Sequence, residues 1–445
     1  MTLRSGLAYG LSSISRWSLK NLLHRPAANF PGDLALHIDP NIISNRTHVL
    51  NKGSIVVCGT NGKTTVTNLL ADALSCQGYT LSCNRTGANL TSGIASALLA
   101  CKNAEWGVFE CDELYLAKAL PELQSNYLLL LNLFRDQLDR CGEIATVQQT
   151  IINSLKESPY TVLIYNADDP FCEGIARAVS NPSIPFGINE ALHTEELQAI
   201  DTQMCQNCQS ILEYHYNHYD QLGNFYCPTC NFARKTPCYA AEQVKLSPNG
   251  ITFDIQEHAV NKDQHLASIS TKYTGTYMIY NLLASFAAAH ILGCSAENFA
   301  RAAAAYNPKN GRLQTFSIQG QSVLLNLAKN PTGFNQNIEL ILQDPNPKTV
   351  AFFVNNKRGD GQDVSWLWDI NFENLEHQNL QAFAGGMRKE DVAVRLKYAG
   401  INAQTINNAH DIFEISKQVS ENHKIYIIAN YTALPALREE LSRMQ

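Results

Sequence analysis

The 445-residue sequence predicts an α/β protein: a doubly wound, mostly parallel sheet, interrupted by a small cysteine-rich module and followed by a smaller α/β domain. Three observations predict it. Short apolar runs alternate with helix-forming stretches from Ser54 to Pro170, the spacing of parallel strands with crossover helices. The apolar run Ser54–Cys58 passes through a glycine turn into the helix-forming run Val66–Cys76. Two C-x2-C pairs, Cys205/Cys208 and Cys227/Cys230, then break the pattern.

The glycine turn reads Gly59-Thr60-Asn61-Gly62-Lys63-Thr64-Thr65. Gly59 and Gly62 let the backbone turn tightly and aim its N–H groups at an anion. The helix N-terminus adds positive field. Lys63 supplies a point charge for the β- and γ-phosphates, and the Thr64 hydroxyl is placed to ligate magnesium. These seven residues are the expected ATP-binding loop. The longer generic loop has glycine where Val57 stands, so the match is to a shortened Gly-x-x-Gly-Lys-Thr form. An ordinary glycine turn before a helix is the plainer reading; the ordered succession of strand, loop, Lys-Thr and helix weighs against it.

Hydrophobic content of 45% and charged content of 17% describe a globular chain long enough for two or three domains. A net charge of −6 argues against nucleic acid as a partner. No apolar run has the length of a membrane span, and no signal peptide is read, so the expected location is the cytoplasm, with the inner face of the membrane as a place of work. Most of the 13 cysteines stand singly in apolar runs (Cys58, Cys83, Cys111, Cys294), as reduced, buried thiols do.

Residues 1–25 interleave Leu3, Leu7, Ile14, Trp17 and Leu22 with Arg4, Arg16, Lys20 and Arg25. Two readings stand: a basic amphipathic helix at a membrane surface, or a helix packed on its own domain. Further on, Asn84–Leu90 is a polar glycine loop, and the strand at Trp106–Phe109 ends in Glu110-Cys111-Asp112-Glu113. Ligands gather at the carboxyl ends of strands in such sheets, so Glu110, with Thr64, is the expected magnesium pair; a solvated acidic loop is the alternative. Leu128–Leu133 reads as a third strand, leading into Phe134-Arg135-Asp136-Gln137-Leu138-Asp139-Arg140, and Thr161–Tyr165 as a fourth, ending in Asn166-Ala167-Asp168-Asp169-Pro170.

The two C-x2-C pairs are separated by eighteen residues. That spacing places four thiolates, from Cys205, Cys208, Cys227 and Cys230, around a tetrahedral zinc ion with no open position, so the zinc is expected to be structural. The aromatics between the pairs come with almost no lysine or arginine, and read as a packed hairpin, not a base-stacking surface. Beyond the ribbon, Tyr280-Asn281 begins an alanine-rich helix, and Asn307–Gly311 reads as a linker. Strands expected at Val323–Leu327, Thr349–Val354, Ala382–Ala384 and Ile425–Ala429 make up the second α/β domain.

Taken together, these motifs resemble the Mur ligase family, ATP-dependent amide-forming enzymes of peptidoglycan synthesis. The phosphate loop, Glu110–Glu113 and Asn166–Pro170 are similar to family motifs in the same order. The resemblance implies that Asn281 contacts adenine and that Arg312 contacts the nucleotide where the last domain opens. It implies a short N-terminal segment at 1–50, an ATP-binding central domain at 51–312 with the zinc ribbon inserted at about 201–240, and a C-terminal domain at 313–445.

Within the family, the inserted ribbon and the short N-terminal segment resemble the members that amidate lipid II. So do Asn326–Gly333, Asp363-Val364-Ser365-Trp366 and Asn430-Tyr431-Thr432. That branch implies a heterodimer with a GatD-like glutamine amidotransferase subunit, which releases ammonia from glutamine. The expected reaction uses ATP to activate the α-carboxyl of D-glutamate in the lipid II stem peptide as an acyl phosphate, which ammonia converts to D-isoglutamine.

The resemblance also implies that Asp363 completes the partner's cysteine–histidine pair, holding the histidine in orientation. A cap or loop acid is the alternative reading of Asp363, and Asp360 and Asp369 stand nearby. Two departures are visible. Asn355-Asn356 stands where relatives carry Asn-Asp. No lysine occurs between Lys156 and Lys235, and Gln137 replaces a family histidine, so a two-metal site of the usual composition is not expected. Two other functions remain open: a conventional ligase that joins an amino acid, and a nucleotide-gated ribbon adaptor.

Overall fold

A computed structural model describes residues 3–24, 27–85, 87–135, 143–192, 204–247, 250–259, 262–307, 311–415 and 423–445. Asp136–Arg140 of the motif that follows Phe134, including Gln137, lie outside the described residues, as do 308–310 of the expected linker. The chain divides into two compact units, residues 1–134 with 144–306, and residues 135–143 with 307–445.

The first unit is built on a nine-stranded sheet. Its strands are β1 (Leu50–Cys58), β2 (Leu81–Cys83), β3 (Ala104–Glu110), β4 (Tyr127–Leu130), β5 (Val162–Asn166), β6 (Ser183–Ile188), β9 (Tyr239–Ser247), β10 (Gly250–Ala259) and β11 (Lys262–Thr271), with β7 (Glu213–Tyr219) and β8 (Leu222–Tyr226) in a separate hairpin. The spatial order is β11-β10-β9-β6-β5-β4-β1-β3-β2. From β2 to β9 all pairs are parallel, whereas β9, β10 and β11 form an antiparallel wing.

β1 lies between β3 and β4, and Ile55, Val56, Val57 and Cys58 are fully buried. A strand covered by helices on both faces reads as a continuous apolar run rather than an alternation, as Ile55–Cys58 does. The strand expected at Leu128–Leu133 stops at Leu130, because the chain beyond it turns to hold the glycine loop: Thr60 N–H donates to Asn132 O at 2.9 Å.

The segment before β1 packs on this unit. Helix Leu3–Asn21 buries Ser5, Ala8 and Ser12. Ser5 Oγ donates to Asp39 at 2.6 Å, and Ser12 Oγ donates to Pro31 O at 2.9 Å, fixing it to helix Phe30–Ile38. Among the described residues no helix is long and apolar enough to cross a membrane.

The second unit has a six-stranded sheet, β12 (Gln314–Ile318), β13 (Gln321–Leu327), β14 (Lys348–Phe353), β15 (Leu380–Gly385), β16 (Ala403–Thr405) and β17 (Lys424–Ala429), in the order β12-β13-β17-β14-β15-β16. All pairs but β12–β13 are parallel. Successive β14 residues alternate between two cores: Val350 and Phe352 pack with Phe334 and Ile428, Ala351 and Phe353 with Ile427 and Leu437. Helix Pro331–Leu342 starts where Asn330 accepts Gly333 N–H at 2.9 Å and Pro331 takes the first helical position, which needs no N–H donor.

Candidate functional site

The glycine loop leaves β1 at the carboxyl edge of the sheet and enters helix Lys63–Cys76. Gly59 and Gly62 have φ of 137° and 89°, values that side-chain-bearing residues rarely adopt. Asn132 braces the loop from the end of β4. Its Oδ1 accepts Asn61 N–H at 2.8 Å and its Nδ2 donates to Asn61 O at 3.1 Å. The Thr60 hydroxyl accepts Phe134 N–H at 3.0 Å.

Lys63 and Thr64 are buried at the start of the helix. Lys63 Nζ pairs with Glu113 Oε1 at 2.9 Å and also donates to Gly59 O. Burial works to discharge the amine, but Glu113, with the other acids nearby, holds it above the ordinary lysine range.

The acidic motif sits at the end of β3, beside the end of β1, with Val57 in register with Glu110. Glu110, Asp112 and Glu113 are all buried. Asn84 fixes the motif: its Oδ1 accepts Glu110 N–H and its Nδ2 donates to Glu110 O, both at 2.8 Å, while Nδ2 also donates to Ala88 O. A Cβ placed on Gly87 would lie 3.5 Å from Thr64 Oγ1, so the polar glycine loop closes over the helix start. Asn281 reaches the same place, since a Cβ on Gly62 would collide with Asn281 Oδ1. Phosphate loop, Thr64, Glu110 and Asn281 therefore converge within one unit. Buried acids beside a hydroxyl, next to a backbone anion cradle, suit a phosphate-bound divalent cation.

Asp168 and Asp169 play different parts. Asp169 caps helix Pro170–Ala178 through Phe171 N–H at 2.9 Å and accepts Leu133 N–H at 2.8 Å. Burial pushes its carboxyl up to about 7. Asp168 is the centre of a network that sequence reasoning missed. It accepts from Arg234 Nε at 2.6 Å, Ile188 N–H at 2.8 Å and Tyr280 Oη at 2.7 Å, and His218 Nδ1 lies 2.7 Å from the same tyrosine oxygen.

Arg234 and His218 come from the cysteine-rich insertion, which leaves the sheet after β6 and returns at β9, a direct neighbour of β6. Its four Sγ atoms lie within 4.8 Å of one another, with Cys205–Cys230 and Cys208–Cys227 each at 3.5 Å. A tetrahedral ion with metal–sulfur bonds of about 2.3 Å separates its sulfurs by about 3.8 Å, so the donor set fits a metal. Backbone N–H groups of Asn207 and Thr229 donate to Cys205 and Cys227 Sγ, each at 3.4 Å, as knuckles around thiolates do. The Ser210 side chain and backbone hold the Cys208 thiol down, to about 6. Arg177 docks the module on the sheet domain, donating to Asn231 O at 3.0 Å and Ala233 O at 2.9 Å.

In the second unit, the ends of β14 and β17 bring two motifs together. Asn430 Oδ1 accepts Asn355 N–H at 3.0 Å, and Asn430 Nδ2 donates to Asn355 O at 2.7 Å. Asp360 is buried and holds Thr432, accepting its N–H at 2.9 Å and bonding its hydroxyl. Asp363 is exposed. Its two oxygens accept the Ser365 N–H and hydroxyl, both at 2.8 Å, and these bonds keep the carboxyl below its ordinary range. Asp369 ends the short 3-10 turn Ser365–Asp369 and is half-buried. Arg312 belongs to this unit, beside Leu313, whose N–H donates to Asn326 Oδ1 at 2.9 Å.

Fold and loop together define a protein of the Mur ligase class. The Mur ligase middle domain family matches residues 57–223, and the MurT ligase C-terminal family matches residues 327–434. The chain is 32% identical to the MurT subunit of the glutamine-hydrolyzing lipid II isoglutaminyl synthase of Streptococcus pneumoniae (strain ATCC BAA-255 / R6), covering 94% of this chain and 93% of that one. It is 29% identical to the MurT subunit of Staphylococcus aureus (strain COL), over 99% and 98%. Among solved structures, a type C pseudomurein peptide ligase from Methanothermus fervidus aligns with TM-score 0.68 at 18% identity, covering 89% of this chain and 79% of that one. MurF from Acinetobacter baumannii aligns with TM-score 0.68 at 17% identity, covering 92% and 80%. The chain belongs to the MurT family.

Proposed function

We propose that this chain is the ATP-using subunit of a lipid II isoglutaminyl synthase, amidating the α-carboxyl of D-glutamate in the lipid II stem peptide. The observation that carries the reading is similarity to MurT subunits along nearly the whole chain, ribbon included, with the phosphate loop and its acids assembled in one place.

A carboxylate resists attack by ammonia because its charge is delocalised and its leaving group would be oxide. Transfer of the γ-phosphoryl group of ATP to a carboxylate oxygen releases ADP and gives an acyl phosphate. Ammonia then adds to the carbonyl carbon, phosphate leaves, and a proton is lost to give the amide. Lys63 and the backbone N–H groups of the glycine loop hold the β- and γ-phosphates and offset charge on the transferring group. Thr64 and Glu110 would hold magnesium, which supplies further charge neutralisation. Asn281 lines the adenine side, and Arg312 contacts the nucleotide from the C-terminal domain. Cys205, Cys208, Cys227 and Cys230 hold a structural zinc.

Ammonia is mostly protonated at neutral pH, so a neighbouring source is needed. A GatD-like subunit in a heterodimer would hydrolyse glutamine, with Asp363 of this chain orienting its histidine. The enzyme works at the inner face of the membrane, where the acceptor's lipid anchor resides.

The test is mass spectrometry of lipid II incubated with this chain, its glutaminase partner, ATP and glutamine. Replacement of one hydroxyl by one amino group, dependent on both ATP and glutamine, is the expected result. Addition of an amino-acid residue without any partner would overturn the proposal in favour of a conventional ligase.

A further inference from the structure

Helix Leu3–Asn21 is packed the wrong way round for a helix of a water-surrounded domain. Such a helix turns its large apolar side chains inward. Here the fully buried positions against the domain are the small residues Ser5, Ala8 and Ser12, with Leu19 and Tyr9 half-buried beside them and the Arg46 guanidinium over the Tyr9 ring. The large ones face out: Leu3 is 97% exposed, Leu7 59%, Ile14 62% and Trp17 57%, with Leu11 beside them. At 3.6 residues per turn these five fall in one stripe about 120° wide. Among the described residues, nothing lies within 4 Å of a Cβ built on Gly10, inside the stripe, or on Gly6, at its edge.

The charges identify what does cover it. Arg4 and Lys20, both exposed, lie on opposite margins of the stripe. Residues 1–32 carry Arg4, Arg16, Lys20 and Arg25 and no aspartate or glutamate, in a chain whose net charge is −6. A leucine, isoleucine and tryptophan ridge on a helix whose own charged side chains are all cations, Arg4 also lying near Asp39 of the neighbouring segment, has the composition of a helix lying in a bilayer interface, its apolar side among acyl chains and its cations among anionic headgroups.

We propose that the outward face of helix Leu3–Asn21 is a docking surface for an anionic lipid bilayer. Its small-residue seam clamps the helix rigidly to the nucleotide-binding unit, so the surface is preformed and binding does not require refolding. The inference draws on the proposed function only for its setting, a lipid-linked acceptor.

The experiment is co-sedimentation of the full-length chain, alone and with its glutaminase partner, with vesicles of phosphatidylglycerol in phosphatidylcholine and of phosphatidylcholine alone. Wild type should bind the anionic vesicles, less so in high salt. Trp17 fluorescence should shift to the blue on binding, and Trp17→Phe should remove that shift. The Leu7→Glu/Ile14→Glu double variant alters only exposed positions. It should keep the wild-type circular dichroism and melting temperature, and partition at least about tenfold more weakly.

Absence of binding to anionic vesicles overturns the proposal, as does a double variant that binds like wild type. Loss of the partner subunit from the double variant, with vesicle binding unchanged, would make the stripe a protein interface instead. Amidation of a water-soluble, lipid-free acceptor should be the same for wild type and double variant. Its failure in wild type would count against the catalytic reading and leave the vesicle result standing.

Discussion

Tyr280 Oη donates a 2.7 Å hydrogen bond to Asp168 Oδ2, so the helix that carries Asn281 is tied to the turn after β5. Arg234 from the cysteine-rich insertion grips the other oxygen of the same carboxylate. The position of Asn281 beside Gly62 therefore depends on a residue outside the sheet's own helices. Tyr280→Phe should cost about 1–3 kcal/mol of stability, the loss of a buried hydrogen bond to a carboxylate and of the hydroxyl beside His218 Nδ1. It should raise KM for ATP several-fold with little change in kcat at saturating ATP. Steady-state kinetics at varied ATP check this; an unchanged KM would show that the network is only structural.

Lys63 is buried against Glu113, so removing it has two effects that must be separated. Lys63→Ala should lower kcat about a hundredfold or more, through lost stabilisation of the transferring phosphoryl group. It should also destabilise the fold by about 3–5 kcal/mol, because the buried Glu113 carboxylate loses its cation. The double variant Lys63→Ala/Glu113→Gln should regain most of the stability and none of the activity. Denaturant melts alongside the amidation assay decide the matter.

Burial raises the Asp169 carboxyl from 3.8 to about 7. The folded chain therefore holds a proton there that the unfolded chain has released, and this contribution to stability is fully present below pH 3.8 and lost as pH rises toward 7. Asp169→Asn cannot titrate. The stability difference between wild type and Asp169→Asn should shift against wild type across that window and level off above it. Urea melts over the range test this, and a pH-independent difference would contradict it.

The four-cysteine site should hold one equivalent of zinc per chain. Its removal with a strong chelator, or Cys227→Ser, should unravel the insertion and with it the Arg234–Asp168 pair. The readouts are metal content by plasma spectrometry and nucleotide affinity by fluorescence, which should both fall. Retained nucleotide affinity in the metal-free protein would separate the ribbon from the nucleotide site.

Asp363 and Asp360 differ in exposure, and their variants should differ in kind. Asp363→Asn should leave the melting temperature unchanged, since the side chain is on the surface. Glutaminase activity of the complex should fall by up to about 10⁴-fold, as when an orienting carboxylate is lost from a nucleophile–histidine pair. Amidation driven by added ammonium salt should survive. Asp360→Asn should instead destabilise the C-terminal unit by about 1–3 kcal/mol through its buried bonds to Thr432.

The glycine loop between strand and helix was legible because its demands are local: two glycines at positive φ, then a lysine and a threonine at a helix start. The four-cysteine module was legible for the same reason, its ligands being paired at fixed spacing. Asn84, Asn132 and the Asp168–Arg234–Tyr280 network were not, because each acts across strands on a residue distant in sequence. Asn132 had one available signal, as a polar residue at the carboxyl end of a buried strand. The antiparallel wing is absent from the expected strands, although Ile251, Phe253 and Ile255 are buried in strict alternation with Thr252 and Asp254. Among the acids of the strand-end motif, spacing alone did not show that Glu113 is the one that reaches Lys63.

β6 and β9 are adjacent in the sheet, yet about fifty residues separate them along the chain, a closure that costs conformational entropy. Joining Cys205 to Cys230 through one ion would shorten the effective loop by about half, which is worth only about 0.6 kcal/mol. The entropic gain from the crosslink is thus small beside the buried Arg234–Asp168 bond. Retaining so long a detour between neighbouring strands makes sense chiefly if the detour delivers that arginine. A bound ion would then serve presentation: it would stiffen a module whose own core is as small as Leu212, Phe225 and Phe232, so that one guanidinium arrives at one carboxylate.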